Sequence, residues 1–153
     1  MSSDGSTVLF GALPAKFKFS AADKRALTRF ARKLSAQMAQ GKYFECLITD
    51  DRELRRLNHS FLRHNYPTDV LSFPAAGQPF AIGECAISVE RAADQSRQFG
   101  HSLIEEIKIL MLHGVLHLTG LDHEKDTGEM ALAEARWRAE LKLPNSLIER
   151  VCL

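Results

Sequence analysis

Residues 113–123 read His-Gly-Val-Leu-His-Leu-Thr-Gly-Leu-Asp-His, so three imidazoles, His113, His117 and His123, stand at offsets of zero, four and ten. Residues four apart on a helix share a face, one turn above the other, and would aim two rings at a common point. Gly120 stands where the helix can end in a positive-φ residue that reverses the chain, returning His123 towards that face. Three nitrogen ligands suit Zn²⁺, with bonds of about 2.0 to 2.1 Å, and leave the fourth tetrahedral position open to water. An open position is the mark of a catalytic site, because structural zinc is usually closed by four protein ligands that include thiolates. No cysteine lies near the motif. Nickel, copper and iron also accept imidazole, so the spacing identifies the ligands rather than the metal.

The same offsets occur in the zinc peptidase pattern H-E-x-x-H-x-x-G-x-x-H, which makes this a zincin-like metal-binding helix. Peptidases keep a glutamate after the first histidine as general base; here the position is Gly114, which has no side chain to move a proton. Peptide hydrolysis is disfavoured on that ground. A glycine inside a helix costs about 1 kcal/mol relative to alanine, so Gly114 marks a close approach, by a packed neighbour or by substrate. Asp122 can accept a hydrogen bond from a ligand imidazole or simply cap the turn. Glu124 and Asp126 read as first-turn carboxylates of the final helix.

The elements that must hold these residues follow from periodicity. Ser102-Leu103-Ile104-Glu105 is a capping box, and Ile104, Ile107, Leu110, Met111 and Leu118 give the following helix a wide apolar face up to Thr119. A helix beginning at Ser20 repeats Leu27, Phe30, Ala31, Leu34 and Met38 and ends at Gly41. Thr7–Phe10, Tyr43–Thr49, Asp69–Phe73 and Phe80–Val89 read as strands, the last two as a pair, with Gly83 inside the last. Asp50 or Asp51 caps a short helix that buries Leu54 and Leu57, with Phe61 next in the series. A further helix spans about Glu90 to Phe99 and closes at Gly100. The last begins near Asp126 or Thr127 and turns Met130, Ala133, Trp137 and Leu141 inward before Pro144. Strands mixed with helices predict an α+β fold, a small mixed three- or four-stranded sheet covered by helices.

At 153 residues and 45% hydrophobic, the chain suits one domain, 1–153, with a single substantial core. A formal charge of +1 provides no global field for nucleic acid or anionic lipid, so such binding must rest on local patches. Met1–Gly5 lacks a charged segment leading into an apolar run, and no stretch approaches the roughly twenty apolar residues that cross a bilayer; no membrane partner and a cytoplasmic location are expected. Cys46, Cys85 and Cys152 are widely separated and form no CxxC pair, so neither a disulfide framework nor a thiolate site is expected. Cys46 and Cys85 read as small buried hydrophobes.

Upstream, residues 57–74 read Leu-Asn-His-Ser-Phe-Leu-Arg-His-Asn-Tyr-Pro-Thr-Asp-Val-Leu-Ser-Phe-Pro. Together with the histidine motif this resembles the YbeY family of bacterial ribosomal RNA maturation factors, metal-dependent endoribonucleases marked by an arginine before P-T-[DN]-V-L-S-F-P and, downstream, by H-G-x-L-H-L-x-G-[YF]-D-H. The resemblance covers roughly Phe44 to Leu141. It implies that His113, His117 and His123 are metal ligands and that Arg63 is the functionally important arginine. Leu121 replaces the usual aromatic, and Gly83-Glu84-Cys85-Ala86-Ile87-Ser88 stands where the family commonly has G-D-I-x-I-S.

The chemistry agrees with that resemblance. Bound zinc lowers the pKa of its water to about 7, and a guanidinium fork such as that of Arg63 suits the charge that builds on a phosphodiester under attack. An isolated arginine is otherwise a solvent-facing salt-bridge partner. The resemblance implies one Zn²⁺ per chain, single-stranded and ribosomal RNA as substrates, and the small ribosomal subunit or its proteins as neighbours. Two alternatives stay open, an assembly factor with a structural metal and a hydrolase of another bond, such as a peptide. Arg52, Arg55, Arg56, His59 and Arg63 make a basic face diluted by Asp51 and Glu53, and Lys24, Arg25, Arg29, Arg32 and Lys33 make a second. Both have solvated surface as the plain reading. Phe73 and Phe80 are expected to pack in the core rather than stack on bases.

Overall fold

Apolar side chains alternate along the second strand and fill both faces of the last, and this decides how the layers stack. The computed structural model describes residues 5–62, 68–75, 77–120 and 128–144. Its elements are β1 (Thr7–Phe10), α1 (Ala21–Met38), β2 (Tyr43–Thr49), α2 (Asp51–Leu57), β3 (Val70–Pro74), β4 (Ala81–Ser88), α3 (Val89–Phe99), α4 (Leu103–Leu118) and α5 (Glu129–Glu140). The sheet order is β1-β2-β4-β3. Strands β1 and β4 run parallel to β2, and β3 closes the edge antiparallel to β4 with Val70 opposite Ile87. The α+β expectation holds, with four strands.

Side chains two apart along a strand face the same way. Phe44, Cys46 and Ile48 of β2 therefore join Cys85 and Ile87 of β4 on one face, where Leu27, Ala31 and Leu34 of α1 and much of α4 cover them. The opposite face carries Leu47, Leu71, Phe73 and Ala86, covered by Leu54 and Leu57 of α2. Central β4 is thus buried on both sides. Helix α4 departs from the one-sided pattern its sequence suggests: eleven of its sixteen residues are buried, so it is the central helix of the molecule.

Local chemistry accounts for the element ends. Ser20 and Ser102 both complete capping boxes, with Asp23 and Glu105 reaching back to the cap N–H. Gly100 ends α3 in the left-handed region at φ 76°. Asp50 accepts from Glu53 N–H at 2.8 Å and starts α2, but the chain then widens into a five-residue π-helical turn, Asn58–Leu62. That wider turn shifts the phase of the apolar series. Phe61 is consequently 64% exposed rather than buried with Leu54, its ring meeting Phe73 edge-on at 6.1 Å. Phe80 also departs from expectation. Its carbonyl accepts from Tyr43 N–H at 2.9 Å just ahead of β4, and its side chain remains 73% exposed instead of entering the core. Among the described residues, no helix is long and apolar enough to cross a membrane.

Candidate metal centre

The capping box at Ser102 sets the phase of α4, and the helix runs unbroken to Leu118, where Thr119 caps it and Gly120 takes φ 104°. One helical turn therefore separates His113 from His117. Their rings lie 4.7 Å apart, inclined at 72°, with the two Nε2 atoms 3.1 Å from each other. Two nitrogens bound to one tetrahedral ion at about 2.0 to 2.1 Å stand about 3.3 to 3.4 Å apart, so this pair fits a shared zinc with little movement. His113 is buried, and His117 is partly open to solvent. His123, Asp122 and Arg63 lie outside the described residues, as do Glu124 and Asp126. Among the described residues, no group of three or more histidine, cysteine or acidic side chains is disposed to hold an ion.

A residue that the pattern reading passed over stands behind the first histidine. Glu134 of α5 is fully buried, and its Oε2 lies 3.5 Å from His113 Nδ1. The contact is longer than a hydrogen bond but close enough for the carboxylate to favour a proton on Nδ1, the tautomer that leaves Nε2 its lone pair. The sequence held a signal for it. Glu134 falls four residues after Met130 and three before Trp137, on the face those residues turn inward, where a carboxylate needs a partner.

Gly114 is explained by packing. A Cβ there would stand 3.2 Å from Cys85 Cβ and 3.3 Å from both Ser72 Oγ and Val70 Cγ2, tighter than ordinary contact. Of the two close approaches the sequence allowed, the structure shows the sheet. Ser72 Oγ donates to Gly114 O at 2.9 Å. The second motif is thereby tied to the first: Ser72, from the Val70–Pro74 run, holds the edge strand against the turn of helix between the two histidines. Gly83 makes the same packing possible on β4, because a Cβ at its φ of 143° would lie 2.3 Å from Phe73 O and 2.8 Å from Leu118 Cδ2. Asp69 anchors the start of the edge strand, its carboxylate accepting from Gln95 Nε2 at 2.8 Å and its carbonyl from Ser88 N–H at 3.0 Å.

The remaining candidates sort by their partners. On α2, Arg56 donates twice to Glu53 at 2.7 and 2.9 Å, lowering the Glu53 carboxyl below its usual range, and Arg55 lies 3.3 Å from Asp51. Asp51 also accepts from Arg91 Nε at 2.9 Å. Cys46 and Cys85 are buried side by side across β2 and β4, as hydrophobes. The hydrogen bond between them and their burial push the Cys46 thiol well above the usual range, which makes it a poor nucleophile.

The family model described as Endoribonuclease YbeY matches residues 14–142. The chain belongs to this family. A protein named Endoribonuclease YbeY from Solibacter usitatus is 53% identical over 150 residues, covering 98% of this chain and 97% of its own. Another so named, from Koribacter versatilis, is 47% identical over 138 residues, covering 88% of each. A Helicobacter pylori YbeY is 40% identical over 119 residues, covering 77% of this chain and 84% of its own. The solution structure of a Thermotoga maritima protein shares the fold at a TM-score of 0.55 and 21% identity, covering 88% of this chain and 93% of that one. Membership in the YbeY family places the chain among endoribonucleases, hydrolases of phosphodiester bonds.

Proposed function

We propose that the chain is a zinc-dependent endoribonuclease that cuts single-stranded RNA in ribosomal RNA maturation, at the 3′ end of the small-subunit RNA, and in ribosome quality control. One observation carries this reading: the Nε2 atoms of two histidines on one helix lie 3.1 Å apart in a chain of an endoribonuclease family. His113, His117 and His123 would hold one Zn²⁺. When bound, zinc supplies a water of pKa about 7 and a positive charge for the developing oxyanion. The chain's own groups do the rest. Glu134 holds His113 in the tautomer that presents Nε2, Ser72 fixes the helix turn between the histidines to the sheet, and Arg63 binds the scissile phosphate through its guanidinium fork. Gly114 supplies no base where peptidases keep a carboxylate, which favours a phosphodiester over a peptide. Ribosomal RNA is the substrate partner, with small-subunit proteins as neighbours, and residues 1–153 act as one hydrolase domain in the cytoplasm.

Metal analysis of the purified chain, followed by incubation with single-stranded RNA and with casein, tests this reading. Wild type should contain about one zinc per chain and cut RNA but not casein, whereas His117→Ala and chelated wild type should do neither. RNA cleavage of equal rate by wild type and metal-free variant would exclude a catalytic metal. Ribosome binding with no RNA cleavage would identify an assembly factor, and casein cleavage a peptidase. Arg63→Ala should keep its metal and lose cleavage; unchanged cleavage would remove Arg63 from the site.

A further inference from the structure

Among the described residues, two surface depressions that carry arginines differ in charge balance. The first, about 590 Å³, is lined by Pro14, Asp50, Asp51, Arg52, Arg55, Arg56 and Glu90, three cations against three carboxylates. The second, about 340 Å³, lies along α1 and is lined by Lys24, Arg25, Thr28, Arg29 and Arg32, with no carboxylate. Exposed Lys33 extends it. Among the described residues, none of these five cations joins a salt bridge. Helix α1 holds five basic residues and one acid, Asp23, which its capping box occupies. A net charge of four on one helix exceeds the +1 of the whole chain.

The positions form two rows, 24-28-32 and 25-29-33, each at helical steps of four. At 1.5 Å per residue each row runs about 12 Å, a length along which one nucleic-acid strand at about 3.4 Å per phosphate presents roughly three or four charges. Lys24 Nζ rests over the Phe10 ring at 5.1 Å, which holds one end of the row in place. Three of the five cations are arginines, whose forks match phosphate oxygens in pairs. None of the six positions is apolar, and the apolar side of α1 is spent on the core, so the face has nothing to insert into a bilayer.

We propose that this face of α1 is a docking surface for the phosphate backbone of the RNA substrate, separate from the residues of the histidine centre. The inference rests on the endoribonuclease reading above. It gives the chain an electrostatic grip that is blind to sequence, positioning long RNA while the metal centre and Arg63 act on one linkage.

The test is binding of the full, zinc-loaded chain to a long 2′-O-methyl polyuridine oligomer, by fluorescence anisotropy across a salt series. The variant combines Arg25→Gln, Arg29→Gln and Arg32→Gln, all exposed, with thermal melting to confirm folding; Arg97→Gln, an exposed arginine on α3, is the control. Each lost single-strand phosphate contact removes about 0.7 from the slope of log K against log salt. The triple variant should therefore bind with a slope shallower by about 2 and an affinity at low salt at least about tenfold weaker, with Arg97→Gln unchanged. An unchanged slope and affinity, or an equal loss in Arg97→Gln, overturns the proposal. So does loss of binding to phosphatidylserine vesicles with RNA binding intact. Cleavage of an oligomer too short to reach α1 separates the two readings. If it persists at the wild-type rate while the salt slope is unchanged, only the docking surface fails; if wild type cuts no RNA yet the slope falls, only the nuclease reading fails.

Discussion

Among the described residues, two buried histidine–glutamate pairs involve α4, and they use the imidazole differently. Ahead of the helix, His101 Nε2 lies 2.5 Å from Glu106 Oε1, with side chains 6% and 0% exposed. At the other end, Glu134 reaches His113 from α5 at Nδ1, and Nε2 faces His117. The carboxylate that takes Nε2 ties the α3–α4 connection to the first turn of α4 and commits that nitrogen to the fold. The carboxylate near Nδ1, at 3.5 Å, approaches the ring from the side opposite the Nε2 that the proposed metal would use. Which ring atom the acid approaches is thus what distinguishes the two pairs, and it is the basis on which only His113 of the two is proposed as a ligand.

Removing one partner of each pair tests that distinction. The largest stability loss should come from Glu106→Ala, which strips a short buried contact and should cost about 1 to 3 kcal/mol in denaturant unfolding while the folded fraction keeps its zinc affinity. A loss of zinc affinity there would erase the contrast. Glu134→Gln should do the reverse. Zinc affinity, measured by competition with a chromophoric chelator, should fall about 10- to 100-fold, with a smaller loss of stability than in Glu106→Ala. Gly114→Ala asks whether the sheet holds the histidine turn in place. Crowding of the new Cβ against Cys85, Ser72 and Val70 costs about 1 to 3 kcal/mol, and better helix propensity returns up to about 1, leaving a net loss of about 1 kcal/mol. A stabilised Gly114→Ala would show that the strand yields.

The smallest effect concerns a third buried pair, Cys46 and Cys85, which has no place in the site. The Cys46 thiol is raised in the folded state, so its contribution to stability is complete below the unfolded thiol value, about 8.5, and is lost as pH rises towards the folded value. The melting temperature should fall on the alkaline side, and less steeply in Cys46→Ala. An identical alkaline profile in both proteins would assign the loss to other groups.

Much of this was legible beforehand because it depends on neighbours in sequence. Periodicity marked the strands, the capping boxes and glycines marked helix ends, and the helical step of four brought His113 and His117 together. The readings that failed turned on features that apolar spacing does not encode. Phe61 slipped out of phase because α2 widens into a π turn, and Phe80 stayed exposed because its main chain, not its ring, is held. Glu134 escaped notice because its partner lies on another helix.

The α+β class, the helix bearing two histidines and the family are carried by short-range spacing and by motifs that need no coordinates. Layer packing sets why Gly114 is glycine, that Ser72 bonds across to it, that Glu134 stands behind His113, and that, among the described residues, Arg55 and Arg56 of α2 pair with carboxylates while the α1 cations join no salt bridge. The physical reason is the same in each case: packing and electrostatics fall off over a few ångströms of space, and neighbours at that range are set by how the layers stack.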